Sequence, residues 1–166
     1  MASGQRHERA AAITLGVGIA AIALSMGIAP PDAPQSKGIM WGIDALRVGI
    51  AGGLVLGWLF GPDLDADGIT KDEARWKRVP LLGPLLYIAM VWLWLPYAVL
   101  MPHRSPISHG CIVGAVIRMA YLCGIVYAIC CLAKVPPPNP TPLTLLGILA
   151  GWIIQDAVHI LLDHRR

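Results

Sequence analysis

Charge is scarce in this chain. Only 14% of its 166 residues are Asp, Glu, Lys or Arg, against about 25% in an ordinary soluble domain. The balance is only slightly basic, at net +3. A disordered chain, a coiled coil and a basic nucleic-acid-binding tail are thereby excluded. Cysteine is sparse and badly placed for metal or disulfide chemistry. Cys111, Cys123, Cys130 and Cys131 share one apolar run, with no C-x-x-C pair. Adjacent Cys130 and Cys131 would point apart on a helix. These thiols read as small buried hydrophobes.

What the chain has in quantity is apolar residues: 56% of the total, with a mean hydropathy of +0.63. They gather in long runs, the mark of spanning helices. Length suggests a single membrane-embedded helical domain over 1–166. The clear runs are Ala10–Ile28, Ile39–Phe60, Cys111–Ala133 and Leu143–Leu162. The first follows Arg6 and Arg9, as in a signal peptide, but it is long for a cleavable h-region, so a retained helix is expected. The second carries Asp44 and Arg47, spaced to pair within the bundle, and Gly49, Gly53 and Gly57, spaced for close helix packing. Pro142 suits the start of the last helix. A stiff Pro-rich link, residues 135–142, precedes it.

A fifth run, Leu81–Leu100, is apolar enough to span but contains Pro84 and Pro96. The 11 residues between them would make about 16 Å of helix, short of a hydrocarbon core of about 30 Å. The expected fold is therefore all-α, with four spanning helices and a Pro-interrupted interfacial or re-entrant segment. The alternative is five spans, because proline also occurs inside spanning helices. Charge favours four. Arg6, Arg9, Lys71, Arg75, Lys77, Arg78, Arg104, Arg165 and Arg166 then share one side, and only Lys37 and Lys134 lie on the other. That bias places both termini in the cytoplasm.

The same topology gathers the imidazoles and carboxylates at one membrane face. His7 precedes the first helix, and Asp63 and Asp65 follow the second. His103 and His109 precede the third, and His159 and Asp163 end the fourth. Five strictly alternating spans would divide this set. Each piece alone has a plain explanation: a surface contact for His159 and Asp163 at i,i+4, or a polar loop for His103 and His109. Asp63-x-Asp65-x-Asp67-Gly68 opens like a calcium loop, but its closing Glu is displaced by one residue to Glu73. Together, the mixed imidazole and carboxylate donors suit a divalent metal, zinc above manganese or iron. Arg104 has the forked geometry for an anionic oxygen. Arg118 can do the same, or instead pair with a helix carboxylate such as Asp44 or Asp156.

These blocks resemble a known family. They are Ser3-Gly-Gln-Arg-His7-Glu-Arg9, Phe60-Gly-Pro-Asp-Leu-Asp65, Arg75-Trp-Lys-Arg78 and Trp92-Leu-Trp-Leu-Pro-Tyr97. They continue with Pro102-His-Arg-Ser-Pro-Ile-Ser-His-Gly110, Arg118-Met-Ala-Tyr121 and His159-Ile-Leu-Leu-Asp163. The family is one of metal-binding membrane proteins of unknown function, of a cyanobacterial type. It is related to LexA-regulated inner-membrane metal-dependent hydrolases. The resemblance implies a polytopic protein with His7, Asp63, Asp65, His103, His109, His159 and Asp163 as metal ligands. Hydrolysis is implied only through the wider relatives. Ala98-Val99-Leu100 departs from the family, where basic residues are usual after the Pro-Tyr.

The leading functional expectation is a metal-dependent hydrolase of a phosphoester or other ester at the membrane interface. Arg104 and Arg118 are its candidate substrate contacts. The alternative is a non-catalytic metal-binding membrane protein or complex subunit. A transporter fits less well, because the polar residues cluster at one end of the helices. Expected partners are the lipid bilayer and an anionic substrate, with no nucleic acid. Catalytic roles and oligomeric state are not set by the sequence.

Overall fold

The computed structural model describes residues 3–27, 37–61, 76–101, 105, 107 and 110–163. Five helices are present: α1 Ser3–Gly27, α2 Lys37–Leu59, α3 Gly83–Leu100, α4 Cys111–Ala133 and α5 Pro142–Asp163. No strand occurs among the described residues. All five helices are long and apolar enough to cross a membrane.

The Leu81–Leu100 segment is not cut by its prolines, which corrects the expectation of an interrupted element. Pro84 falls in the first turn of α3 and Pro96 lies inside it. A first-turn proline lacks only an N–H that would be unsatisfied anyway. A single interior proline bends an apolar helix without ending it. The resulting 18 residues extend about 27 Å, so by length and composition α3 matches the five-span alternative, while the helices on either side of it meet at one end of the bundle. A second correction concerns His7. It lies within α1 rather than before it, because the helix begins two turns ahead of the apolar run. Gln5, Arg6, Glu8 and Arg9 are good helix formers and extend it at little cost.

The ends of the α4–α5 hairpin are built locally. Lys134 caps α4 in the left-handed conformation, its N–H bonding back to Cys130 and Cys131. The Val135 N–H also reaches the Cys130 carbonyl at 3.0 Å. This is a Schellman-type stop, and the prolines beyond it cannot resume a helix. At the start of α5, Thr141 Oγ1 accepts the Thr144 N–H at 3.2 Å. With Pro142 as the first helical residue, this is an ordinary N-cap.

The tightest packing joins α2 to α5. Gly42 lies beside Leu143, Gly49 beside Thr144 and Gly147, Gly53 beside Ile148, and Gly57 beside Gln155 and Trp152. The two helices therefore run parallel. The partner of the α2 glycine stripe is a second one, Gly147 and Gly151. A Cβ at Gly53 would overlap the Ile148 carbonyl, and one at Gly151 would overlap the Ile50 carbonyl. The two backbones touch without side chains between them, which gains close dispersion contacts along both helices.

α1 runs the opposite way, with Gly18 against Leu54 of α2 and Ala11 against Gln155 of α5. α4 is antiparallel to α5 through their short link. The C-terminus of α2, the N-terminus of α4, the N-terminus of α1 and the C-terminus of α5 thus meet at one end of the bundle. α3 is inserted at that end. Phe60 before it and Met101 after it pack against the same aromatic cluster of Met90, Trp94 and Tyr97. Large apolar residues cover the outside of the bundle, among them Val17, Leu24, Trp41, Val48, Trp92, Val99 and Leu132.

Candidate metal centre

Two of the seven expected ligands have described side chains, and the fold brings them together. His7, in the second turn of α1, and His159, near the end of α5, have ring centroids 4.5 Å apart with planes tilted by 46°. They are separated by most of the chain. Their meeting follows from the antiparallel packing of α1 on α5. Asp163 belongs to the last turn of α5, but its side chain is outside the described set. Asp63, Asp65, His103, His109 and Arg104 lie outside the described residues, as does the calcium-loop-like stretch 63–68. Among the described residues no three His, Cys, Asp or Glu side chains converge.

One turn deeper, Gln155 is 3% exposed and bridges three helices. Its Nε2 donates to the Ala11 carbonyl of α1 at 3.1 Å and to the Leu54 carbonyl of α2 at 3.4 Å. Arg118 of α4 pairs with Asp156 of α5, with both side chains 1% exposed. Of the two roles open to Arg118 from the sequence, the structure displays the helix-carboxylate pair. Its guanidinium also lies 5.7 Å from the centroid of the buried Trp152 ring. Asp44 and Arg47 pair at 3.3 Å as expected, but half-exposed on α2 rather than enclosed.

A layer of aromatics closes the space between these groups and α3. Phe60 stands 5.3 Å from Trp94 and 6.4 Å from Trp152, ring centre to ring centre. Trp94, Tyr97 and Tyr121 contact one another at 5.5 Å, and the Tyr121 hydroxyl donates to the Leu93 carbonyl. Sequence reasoning missed this layer. Its residues come from α2, α3, α4 and α5, and the only local signal is the spacing of Trp94 and Tyr97 on one face of a helix. All four cysteines are free thiols, but only Cys130 is buried as expected; Cys111 is partly covered, and Cys123 and Cys131 are exposed on the outside of α4.

The donors in place are chemically suited to a divalent metal. Two neighbouring imidazoles can each direct a nitrogen to one ion, and neutral imidazole is a common ligand for zinc, manganese or iron. No curated protein and no solved structure matches this chain. Residues 2–139 match a family model, a stretch that stops before α5, the helix carrying His159. By that match the chain belongs to the family described as uncharacterized metal-binding protein (DUF2227).

Proposed function

We propose that this protein is a membrane-embedded, metal-dependent hydrolase of a phosphoester or other anionic ester. Its site lies at the end of the bundle where α1 begins and α5 ends. The observation that supports this most is the approach of His7 to His159. It joins the first and last helices at the level to which α2 and α4 also deliver their ends. The neighbouring blocks of sequence supply the remaining donors: Asp63 and Asp65 after α2, His103 and His109 before α4, and Asp163 in the last turn of α5. Seven donors exceed the four that a closed structural site uses.

The metal best suited to this set is zinc, with manganese or iron next. When bound, such an ion lowers the pKa of water and polarises a phosphoryl or carbonyl oxygen. The protein's own residues do the rest. Arg104, beside His103, holds an anionic oxygen through its fork. Arg118, engaged by Asp156, lies deeper and steadies the helix that carries the site. The aromatic layer around Trp94 and Trp152 keeps water out of the bundle beneath it.

Membrane residence is supported by five apolar helices and by apolar side chains on the outside of the bundle, far more than a soluble surface carries. The basic residues favour cytoplasmic termini, and the inner membrane is what the family resemblance implies. The reaction class rests on the relation that the resemblance implies between this family and LexA-regulated inner-membrane metal-dependent hydrolases.

The test is metal content and hydrolysis on the same preparation. The protein is purified in mild detergent without added metal and assayed by elemental mass spectrometry beside a His7→Ala/His159→Ala variant. Stoichiometric metal lost in the variant, together with metal-dependent hydrolysis of a chromogenic phosphoester, is the expected result. Metal without hydrolysis of any ester would leave the non-catalytic metal-binding reading. No metal in the folded parent would overturn both.

A further inference from the structure

Gln155 has a role that the ligand set does not include. We infer that it is the positioning residue that sets the register of α1 on α5 and so holds His7 against His159. This rests on the reading of that pair as part of the metal centre. The argument begins with helix periodicity. His7 and Ala11 are four apart on α1, and Gln155 and His159 are four apart on α5, so each pair lies on one face. The helices are antiparallel. One turn toward the end of the bundle therefore leads from the Ala11–Gln155 contact to the His7–His159 contact. Holding the first contact determines the second.

The hydrogen bonds make that hold specific. Both neighbours of the Gln155 amide nitrogen are backbone carbonyls, Ala11 of α1 and Leu54 of α2. An amide flip would turn its oxygen onto two acceptors, so the NH2 must face them. Each helix is thus pinned by a carbonyl whose position is fixed by its own backbone. A slip of α1 by one residue would carry Ala11 about 100° around the helix and break the bond.

α1 needs such a pin. Its apolar stretch has no fully buried residue, and small residues dominate its contact side. Close packing alone leaves a smooth helix free to slide or turn. The amide also carries a cost that packing does not explain. Gln155 Oε1 is buried with no hydrogen-bond partner, a penalty a leucine or methionine there would avoid. Retaining glutamine exchanges that penalty for the two-helix tie.

The experiment uses the full chain with its four cysteines replaced by alanine. Two reporter pairs are introduced separately: His7→Cys/His159→Cys at the site, and Gly42→Cys/Leu143→Cys between α2 and α5, where Gly42 lies beside Leu143. Oxidative crosslinking is followed with Gln155 intact and with Gln155→Met, which conserves volume but donates nothing. The expected result is a fall of about tenfold in the crosslinking rate of the 7/159 pair, with the 42/143 pair, which does not involve α1, unchanged. In the chain with native cysteines and histidines, Gln155→Met should weaken zinc binding by about 10- to 100-fold in a chelator competition. An unchanged 7/159 rate overturns the inference. Equal loss at both pairs also overturns it, since Gln155 would then hold the whole bundle together rather than set the register of α1. If the parent binds no zinc but crosslinking depends on Gln155 as described, the positioning stands and the metal reading fails.

Discussion

Arg118 on α4 and Asp156 on α5 face each other as an ion pair from which water is almost wholly excluded, each side chain keeping 1% of its exposure. The pair lies one turn below the level of the His7–His159 contact and clamps α4 to the helix that carries His159. Ionisable groups within apolar helices are costly and are tolerated when paired.

Breaking this pair from one side should be severe. Asp156→Leu or Arg118→Met alone would strand a buried charge, at a cost of about 3–5 kcal/mol. Removing both charges together with Arg118→Met/Asp156→Leu should restore much of the loss. Thermal or SDS unfolding in detergent, run as a double-mutant cycle, checks this. Equal additive losses from the two single changes would show that the pair does not act as a unit.

The glycine seam between α2 and α5 makes an opposite pair of predictions for one substitution. Gly53→Ala places a methyl on the Ile148 carbonyl and should cost about 1–3 kcal/mol by forcing the helices apart. Gly16→Ala meets nothing within 4 Å and should be neutral or stabilising by up to about 1 kcal/mol through helix propensity alone. Melting temperatures of the two variants, measured side by side in one detergent, separate packing from propensity.

Pro96 gives α3 a weak point that Tyr121 of α4 covers. Proline provides no N–H for the Trp92 carbonyl, and the adjacent Leu93 carbonyl accepts the Tyr121 hydroxyl. Tyr121→Phe should cost about 0.5–1.5 kcal/mol and loosen α3 from the bundle. Hydrogen exchange by mass spectrometry should show faster exchange in peptides from α3 and unchanged exchange at the α2–α5 seam.

Helix directions make a topological prediction. Cysteines at Glu8 and Leu161, both exposed on the bundle and near the His7 end, should react with an impermeant maleimide from the same side of sealed vesicles. A cysteine at Val135, exposed in the α4–α5 link, should react from the opposite side. Labelling of Glu8→Cys and Leu161→Cys from opposite sides would contradict the antiparallel packing of α1 on α5.

Much of the fold could be read along the chain. The Cys111–Ala133 run coincides with α4, and Pro142 begins α5 as its chemistry requires. Apolar run length reports helices directly, because a backbone removed from water must satisfy its own hydrogen bonds. The reading failed at Pro84 and Pro96, where a rule about isolated helices met a segment stabilised by aromatic packing. It also stopped His7 short of the helix, since hydropathy marks where a helix is apolar rather than where it begins.

The candidate site was legible as a list of residues but not as an arrangement. His7 and His159 could be assigned to one end of the bundle from charge bias. The partner of Arg118 was left between Asp44 and Asp156, and the partner of the α2 glycines had no assignment. Those choices depend on which helix lies beside which, and several faces of an all-apolar helix look alike in sequence.

The sequence by itself determined the class of the molecule, the places of its long apolar segments, and the family to which it belongs. Composition and local hydrogen bonding act residue by residue and leave their trace in order along the chain. Only the tertiary structure decided that α2 runs parallel to α5, that Arg118 meets Asp156, and that Gln155 ties α1 and α2 beneath His7 and His159. These are contacts between residues far apart in sequence, selected by small backbones fitting together and by buried polar groups finding partners, and no local pattern encodes them.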